Sequence, residues 1–460
     1  MSTVLMHAGR RQFLNRAAAL SAAAGTPFLG NLLAVGGAAA QSVPPAGDYK
    51  ALVCVFLAGG NDQSNTVVPV SASAYAAYQA ARPSLALPSG QLLPISPLAH
   101  NGPALALNGA LSALKPLFDQ QRVALVANVG TLVAPLTLAQ WNNGVPTQAV
   151  PYQLFSHSDQ QGAWQTGLPD RPSSTGWLGR VGDLLAPSFN AGSGLSVAMS
   201  LAGNNMMVAG DSTVQYQLTT DGAVRVWALN DLYGSAAGGT ALRRLMSDPR
   251  AHLFESELTR VSARAINTEG LVSAALAGVN LASPFPATGL GAQLAMVARM
   301  VGARGALAQR RQIFFVQAGG YDFHDDLLAD QGARLRKLGD AMAAFYRATA
   351  ALGVAGNVTT FTASDFGRAL QHNGRGSDHG WGSHHFVLGG AVLGRRVYGQ
   401  FPTVALGGPE DAGQGRLIPG VAVDEYTATQ ARWFGVPDSL LSTVLPNIGR
   451  FARRNLGFMA

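Results

Sequence analysis

IFFVQAGGYDFHDD (residues 313–326) and NVTTFTASDFGRALQHNGRGSDHGWGSHHFVLGG (residues 357–390) are the stretches on which the fold is read. Each opens as an apolar, β-rich run and closes in acidic and histidine residues beside glycine. A continuous apolar run of strand length is buried on both faces, the habit of a parallel sheet. A strand that then hands over to Asp or His delivers those groups to its C-terminal rim, where open α/β sheets hold ligands. Five of the nine histidines (His324, His372, His379, His384, His385) belong to this part of the chain.

The pattern repeats outward. ALVCVFL (residues 51–57) runs into AGGNDQSNT (residues 58–66), and RVALVAN (residues 122–128) is another buried strand. Between the two opening stretches, Leu335, Leu338, Met342, Phe345 and Leu352 recur mostly at three- and four-residue steps, the stripe of an amphipathic helix. Strands alternating with helices imply a doubly wound α/β fold, a mostly parallel sheet with helices on both faces. Residues 176–240, rich in Gly and Ser with short apolar runs, are expected to form a β-rich insertion. Residues 242–265 and 291–308 read as helices. The whole of 50–460 is expected to be a single domain.

Composition narrows the function. The chain has 460 residues, 48% of them hydrophobic and 12% charged, enough for a sizeable core. Residues 1–40 combine Arg10–Arg11, Phe13 and Leu14 with an Ala/Gly/Leu-rich run ending in three alanines, the pattern of a twin-arginine export signal. A short linker, residues 41–49, follows. Removing the signal deletes three arginines and no acid, which lowers the formal charge from +7 to +4. With no basic run or stripe, nucleic acid is excluded as an expected partner. No later run approaches the roughly 18 apolar residues of a membrane span. The single cysteine, Cys54, lies in an apolar run and is expected to be buried.

The residues with chemistry to offer stand at strand ends: Asp62, Asp322, His324, Asp365, Asp378 and His379, with His384 and His385 in reserve. Carboxylates and imidazoles together suit zinc, manganese or iron, as one or two divalent ions. Asp62 also has the alternative of capping the segment that follows it. Ser156 or Ser158, with Asp159, suits the start of a helix, and His157 beside them adds to a functional reading of that turn. No P-loop, dinucleotide fingerprint or G-x-S-x-G elbow is present, which removes support for nucleotide cofactors and for an α/β-hydrolase.

FLAGGNDQSNTVVP (residues 56–69), FFVQAGGYDFHDD (314–326), TASDFGRALQHNGRGSDHGWGSHHFVLGG (362–390) and VYGQFP (397–402) together resemble the bacterial domain-of-unknown-function 1501 family. That resemblance implies the alkaline phosphatase and sulfatase superfamily, with divalent metal at the strand ends. By this likeness Asp62 matches the first-strand metal ligand, Asp322 and His324 resemble the mid-chain pair, and His379 resembles the late histidine. Asp365 falls where the superfamily has an Asp-His pair, and Phe366 stands in place of that histidine. The usual nucleophile has no unambiguous counterpart, Ser64, Thr66 and Ser158 being the candidates.

The expectation is therefore an exported metal-dependent hydrolase of a small-molecule or polymer phosphate or sulfate ester. Asp62, Asp322, His324, Asp365, Asp378 and His379 hold metal in this reading. Arg368 steadies the anion through its planar fork, and Ser64 or Ser158 supplies any covalent step. The twin-arginine translocase is the expected export partner, and the periplasm or the cell exterior the destination. The alternative is a non-catalytic protein of the same fold acting in envelope assembly or polymer binding.

Overall fold

The structure is a computed structural model, and it describes residues 48–144 and 149–460. The export signal expected at 1–40, and all but the end of the linker at 41–49, lie outside the described residues. In chain order the strands are β1 (Lys50–Leu57), β2 (Val67–Pro69), β3 (Leu92–Ile95), β4 (Leu105–Asn108), β5 (Val123–Gly130), β6 (Ala198–Ser200), β7 (Tyr216–Thr219) and β8 (Gly222–Ala223). They continue with β9 (Arg311–Ala318), β10 (Val358–Ser364), β11 (Arg368–His372), β12 (Ser377–His379), β13 (Ser383–Gly389), β14 (Val397–Tyr398) and β15 (Val421–Ala422). The helices of ten residues or more are α1 (Ala72–Ala81), α2 (His157–Thr166), α3 (Trp177–Phe189), α4 (Ala236–Ser247), α5 (Leu253–Ala277), α6 (Gly289–Gly302), α7 (Leu327–Ala351) and α8 (Val423–Phe434).

One large sheet runs in the order β14-β5-β13-β10-β1-β9-β6-β7-β8, with β15 beside β5. From β10 through β1, β9 and β6 to β7 every pairing is parallel. Strand β13 runs against both of its neighbours. The sheet is mostly parallel, as the unbroken apolar runs imply. Strands β2, β4 and β3 form a small separate antiparallel sheet.

Helices cover both faces. Ala51, Val53, Val55 and Leu57 share one apolar cluster with Leu294, Val297, Ala298 and Val301 of α6 and with Leu335, Leu338, Met342 and Phe345 of α7. The alternate residue Cys54 is fully buried, as expected, and lies in register with Phe361. The Phe361 ring meets Trp177 of α3 and Tyr426 of α8, so these two helices cover the opposite face. A fully buried Leu, Val or Phe contributes about 1.5–3 kcal/mol. Residues 51–57 are all at most 2% exposed, so the middle of the sheet is a firm base for whatever its strand ends carry.

The segment 176–240 departs from the β-rich expectation. It carries α3 and the start of α4, and its strands β6, β7 and β8 extend the edge of the main sheet. The glycines that read as β-turn punctuation are contact points: a Cβ on Gly179 would lie 2.1 Å from the Ala209 backbone, and one on Gly182 would lie 2.9 Å from Val197. The helix expected over 242–265 is two helices. Asp248 is extended (ψ 140) because Pro249 follows it, and a residue before proline is pushed out of the helical region.

Candidate metal centre

Three strand-end loops are joined at one rim of the sheet. Leu57 is in register with both Ala318 and Ser364, so the segments after β1, β9 and β10 leave from one line. Gly59 (φ +117) lets the first loop press on the second, since a Cβ there would lie 2.5 Å from the Asp322 backbone nitrogen. The Gly59 N–H donates to Asp365 Oδ1 at 3.2 Å, which ties in the third.

Two further segments bring imidazoles to this rim. His157 is the first residue of α2, and His379 ends β12 in the β11–β12 hairpin. His157 Nε2 lies 3.5 Å from Asp322 Oδ2, and His379 Nε2 lies 3.4 Å from Asp322 Oδ1. One donor atom from each of these three residues lies within 4.8 Å of the others. Donors held at about 2.0–2.2 Å by one tetrahedral ion sit about 3.3–3.6 Å apart. Each ring-to-carboxylate separation matches that spacing, though to different oxygens of Asp322, and a small closing movement would bring all three donors onto one ion.

The far nitrogens of both rings are already engaged. His157 Nδ1 pairs with Asp365 Oδ2 at 2.7 Å, and His379 Nδ1 pairs with the Phe155 carbonyl at 2.7 Å. Each Nδ1 can only be the donor to such an acceptor, which leaves the Nε2 lone pair for a ligand, the usual support of a metal-binding histidine. His157 Nε2 is buried and has no hydrogen-bond partner. The donor set of two imidazoles and a carboxylate fits zinc, manganese or iron.

Electrostatics separates the two rings. The hydrogen bond to Asp365 raises the His157 pKa against the opposing effect of burial, whereas burial, helped by the positive charges of His157 and Arg368, lowers that of His379. Burial pushes the Asp322 carboxyl up, but the hydrogen bond from Arg368 and the surrounding positive charges outweigh it and hold the group below the usual range. Asp322 is therefore a carboxylate at neutral pH.

Of the residues expected from sequence, Asp322, His324, Asp365 and His379 meet here. His324 Nε2 lies 3.0 Å from Asp322 Oδ1 and 3.0 Å from His379 Nε2, with Asp378 Oδ1 3.5 Å from its Nδ1. Asp365 stands behind His157, its oxygens taken by Gly59, His157 and Gln161. Asp62 is elsewhere in role: one oxygen caps Ser64 N–H and the other holds Arg82 at 2.6 Å, both side chains being fully buried. With both oxygens committed it joins no cluster, and the described cluster suits one ion.

Three other expectations change. Arg368 is fully buried, and its Nη groups bind Asp322 at 2.7 Å, the Gly59 carbonyl and the Ser377 carbonyl. It fixes Asp322 and has no free fork for an anion. Ser64 is buried in the turn capped by Asp62, where its hydroxyl accepts from Gln63. Ser158 is exposed beside His157, but its hydroxyl meets Ser156 and Asp159. His384 and His385 lie in the core, packed on Phe401 and between Trp164 and Tyr426, and burial lowers both to about 3.

His157 is the candidate ligand that the strand-end pattern does not reach, because it enters from a helix start 165 positions before Asp322. Its signal is local: a histidine in the first turn of a helix with Ser156 at the cap. The two imidazoles touch each other at 4.3 Å, and Phe366 packs against both, 4.8 Å from His157 and 4.7 Å from His379, as a wall of the site.

The family profile described as protein of unknown function (DUF1501) matches residues 49–414, and the chain belongs to that family. No curated protein matches it. Among solved structures it is similar to Ps i-CgsB in complex with k-i-k-neocarrahexaose, at 8% identity and a TM-score of 0.32, over 89% of this chain and 74% of that one. A second crystal structure of Ps i-CgsB matches at 9% identity and the same score and coverage. Likeness at that level carries no reading of fold or activity.

Proposed function

We propose that this DUF1501 protein is an exported metal-dependent hydrolase of phosphate or sulfate esters, its sheet an alkaline phosphatase- or sulfatase-like arrangement. The observation that carries this reading is the convergence of His157, Asp322 and His379, with both far nitrogens of the imidazoles already engaged. Three protein donors leave a position open, as in catalytic rather than structural sites. A divalent ion held there supplies polarisation of the ester oxygen and a bound water of lowered pKa.

The chain's own residues orient the metal ligands. Asp365 fixes His157, and Arg368 fixes Asp322. At the start of α2 the backbone N–H groups of His157 and Ser158 have no hydrogen-bond partner among the described residues and suit a phosphate or sulfate oxygen. His324, 45% exposed, sits on the cluster with Nε2 3.0 Å from both Asp322 Oδ1 and His379 Nε2, where it donates and helps to hold the carboxylate. Water is the nucleophile in this reading, since among the described residues no serine, threonine or cysteine hydrogen-bonds a member of the cluster. Export would run through the twin-arginine translocase, on the strength of Arg10–Arg11 and the run after them.

The lack of a side-chain nucleophile among the described residues, together with Phe366 packed against both imidazoles, favours a second reading: a non-catalytic binding protein that keeps the metal. Metal analysis of the mature protein beside His157→Ala, Asp322→Ala and His379→Ala, with a panel of aryl phosphates and sulfates, separates the two. About one equivalent of metal, lost in each variant along with ester hydrolysis, is the expected result. Metal without hydrolysis selects the binding protein, and a folded, metal-free wild type overturns both.

A further inference from the structure

A second cleft lies at the end of β9, one residue along the chain from the metal cluster. It has a volume of about 300 Å³ and lies between the start of α6 and the first half of α7. Its lining includes Arg334 and Lys337 and contains no carboxylate. Neither cation has an acidic partner among the described residues. The two stand three apart on α7 and so share a helix face.

The opposite wall offers donors. Thr288 caps α6 by accepting from Gly291, which leaves the N–H groups of Gly289 and Leu290 without hydrogen-bond partners among the described residues, and both residues line the cleft. Between the walls stands Tyr321, whose side chain is 1% exposed and whose hydroxyl has no hydrogen-bond partner among the described residues. A phenol so enclosed, with its hydroxyl unpaired, has a donor to offer whatever enters the cleft. Gly320 (φ +85) allows the arrangement, because a Cβ there would lie 2.5 Å from Arg334 Cζ. The guanidinium is thus set against bare backbone.

Two cations, two free helix N-terminal amides and an unpaired phenol, with no acid among them, have one chemistry in common. We infer that the cleft between α6 and α7 is a binding site for a tetrahedral oxyanion, phosphate or sulfate, separate from the metal cluster. Guanidinium and free amides are the groups that recognise such oxygens. The volume exceeds what an inorganic anion fills, so the anion can arrive on a larger carrier. Tyr321 and Asp322 are consecutive, with Cα atoms about 3.8 Å apart. A ligand with two anionic groups is the candidate to occupy this cleft and the metal cluster together. Only that role as a substrate subsite rests on the proposed hydrolase; anion binding does not.

The direct test titrates inorganic sulfate and inorganic phosphate into the chelator-treated mature protein by calorimetry. Binding is expected in the wild type, at least tenfold weaker in Arg334→Gln, and absent in Arg334→Gln/Lys337→Gln. Gly320→Ala, which pushes the guanidinium away without removing charge, should weaken it as well. No binding at millimolar anion by folded wild type, or equal binding by the double variant, overturns the inference. The source is read from hydrolysis by metal-loaded protein of a monophosphate ester and of one bearing a second phosphate. A KM raised at least tenfold by the double variant for the second ester alone identifies the substrate's own anion. Unchanged KM values beside lost sulfate binding identify a free anion. An inactive enzyme counts against the hydrolase and leaves the titration to decide this site.

Discussion

His157 Nδ1 and Asp365 Oδ2 lie 2.7 Å apart although 208 positions separate them in the chain. The pair joins the start of a helix to the end of a central strand, and it sets which nitrogen of His157 carries the proton. Outer partners of this kind typically contribute 10–100-fold to metal affinity. Asp365→Asn should weaken metal binding by about that factor while leaving the fold intact, as read by chelator competition and circular dichroism. Unchanged affinity would show that Asp365 only braces the loop.

Asp62 and Arg82 form a pair with no exposed surface on either side chain. Removing one partner of a buried pair costs about 3–5 kcal/mol. Arg82→Ala should lose stability of that order in urea denaturation, with metal content per folded chain unchanged. Loss of metal at full stability would return Asp62 to the ligand set.

Gly59→Ala is expected to damage the site more than the fold. Its φ of +117 strains any side chain by about 1–3 kcal/mol. The added methyl would also displace the backbone at Asp322, which must shift to admit it. Metal affinity should fall at least tenfold alongside the modest drop in stability, and an unshifted affinity would refute the loop-to-loop contact.

Stability should peak near pH 6.5 from three buried groups. Burial raises Asp424 to about 8, with both its oxygens unpartnered, and lowers His384 and His385 to about 3. As pH rises from about 4 to 8 the unfolded chain ionises Asp424 and the folded chain does not, so stability falls by roughly 1.4 kcal/mol per unit. As pH drops from about 6.5 toward 3 the unfolded chain protonates both histidines and the folded chain does not, so stability falls again. Between 4 and 6.5 two histidines outweigh one acid. Asp424→Asn should abolish the decline from pH 6.5 to 8 in denaturant titrations, and persistence of that decline would exonerate Asp424.

How far the sequence reaches can be judged residue by residue. The strands at 50–57, 311–318 and 358–364 are legible because a strand buried on both faces is rich in apolar and β-branched residues, and no distant contact is needed to see that. Helix α3 was hidden because Gly179 and Gly182 serve close packing there, and glycine carries the same letter in a turn.

The sequence alone determined that a mostly parallel sheet would present Asp322, Asp365 and their neighbours at one rim, since periodicity and strand direction are local properties. Only the tertiary structure decided what each group does there. It turned Asp62 to Arg82, set Arg368 behind Asp322, withdrew His384 and His385 into the core, and brought His157 in from a helix start. The reason is physical: a side chain becomes a ligand, a brace or a core group according to the charges and volumes it meets. Those come from other segments, 20 positions away for Asp62 and Arg82 and 208 for His157 and Asp365.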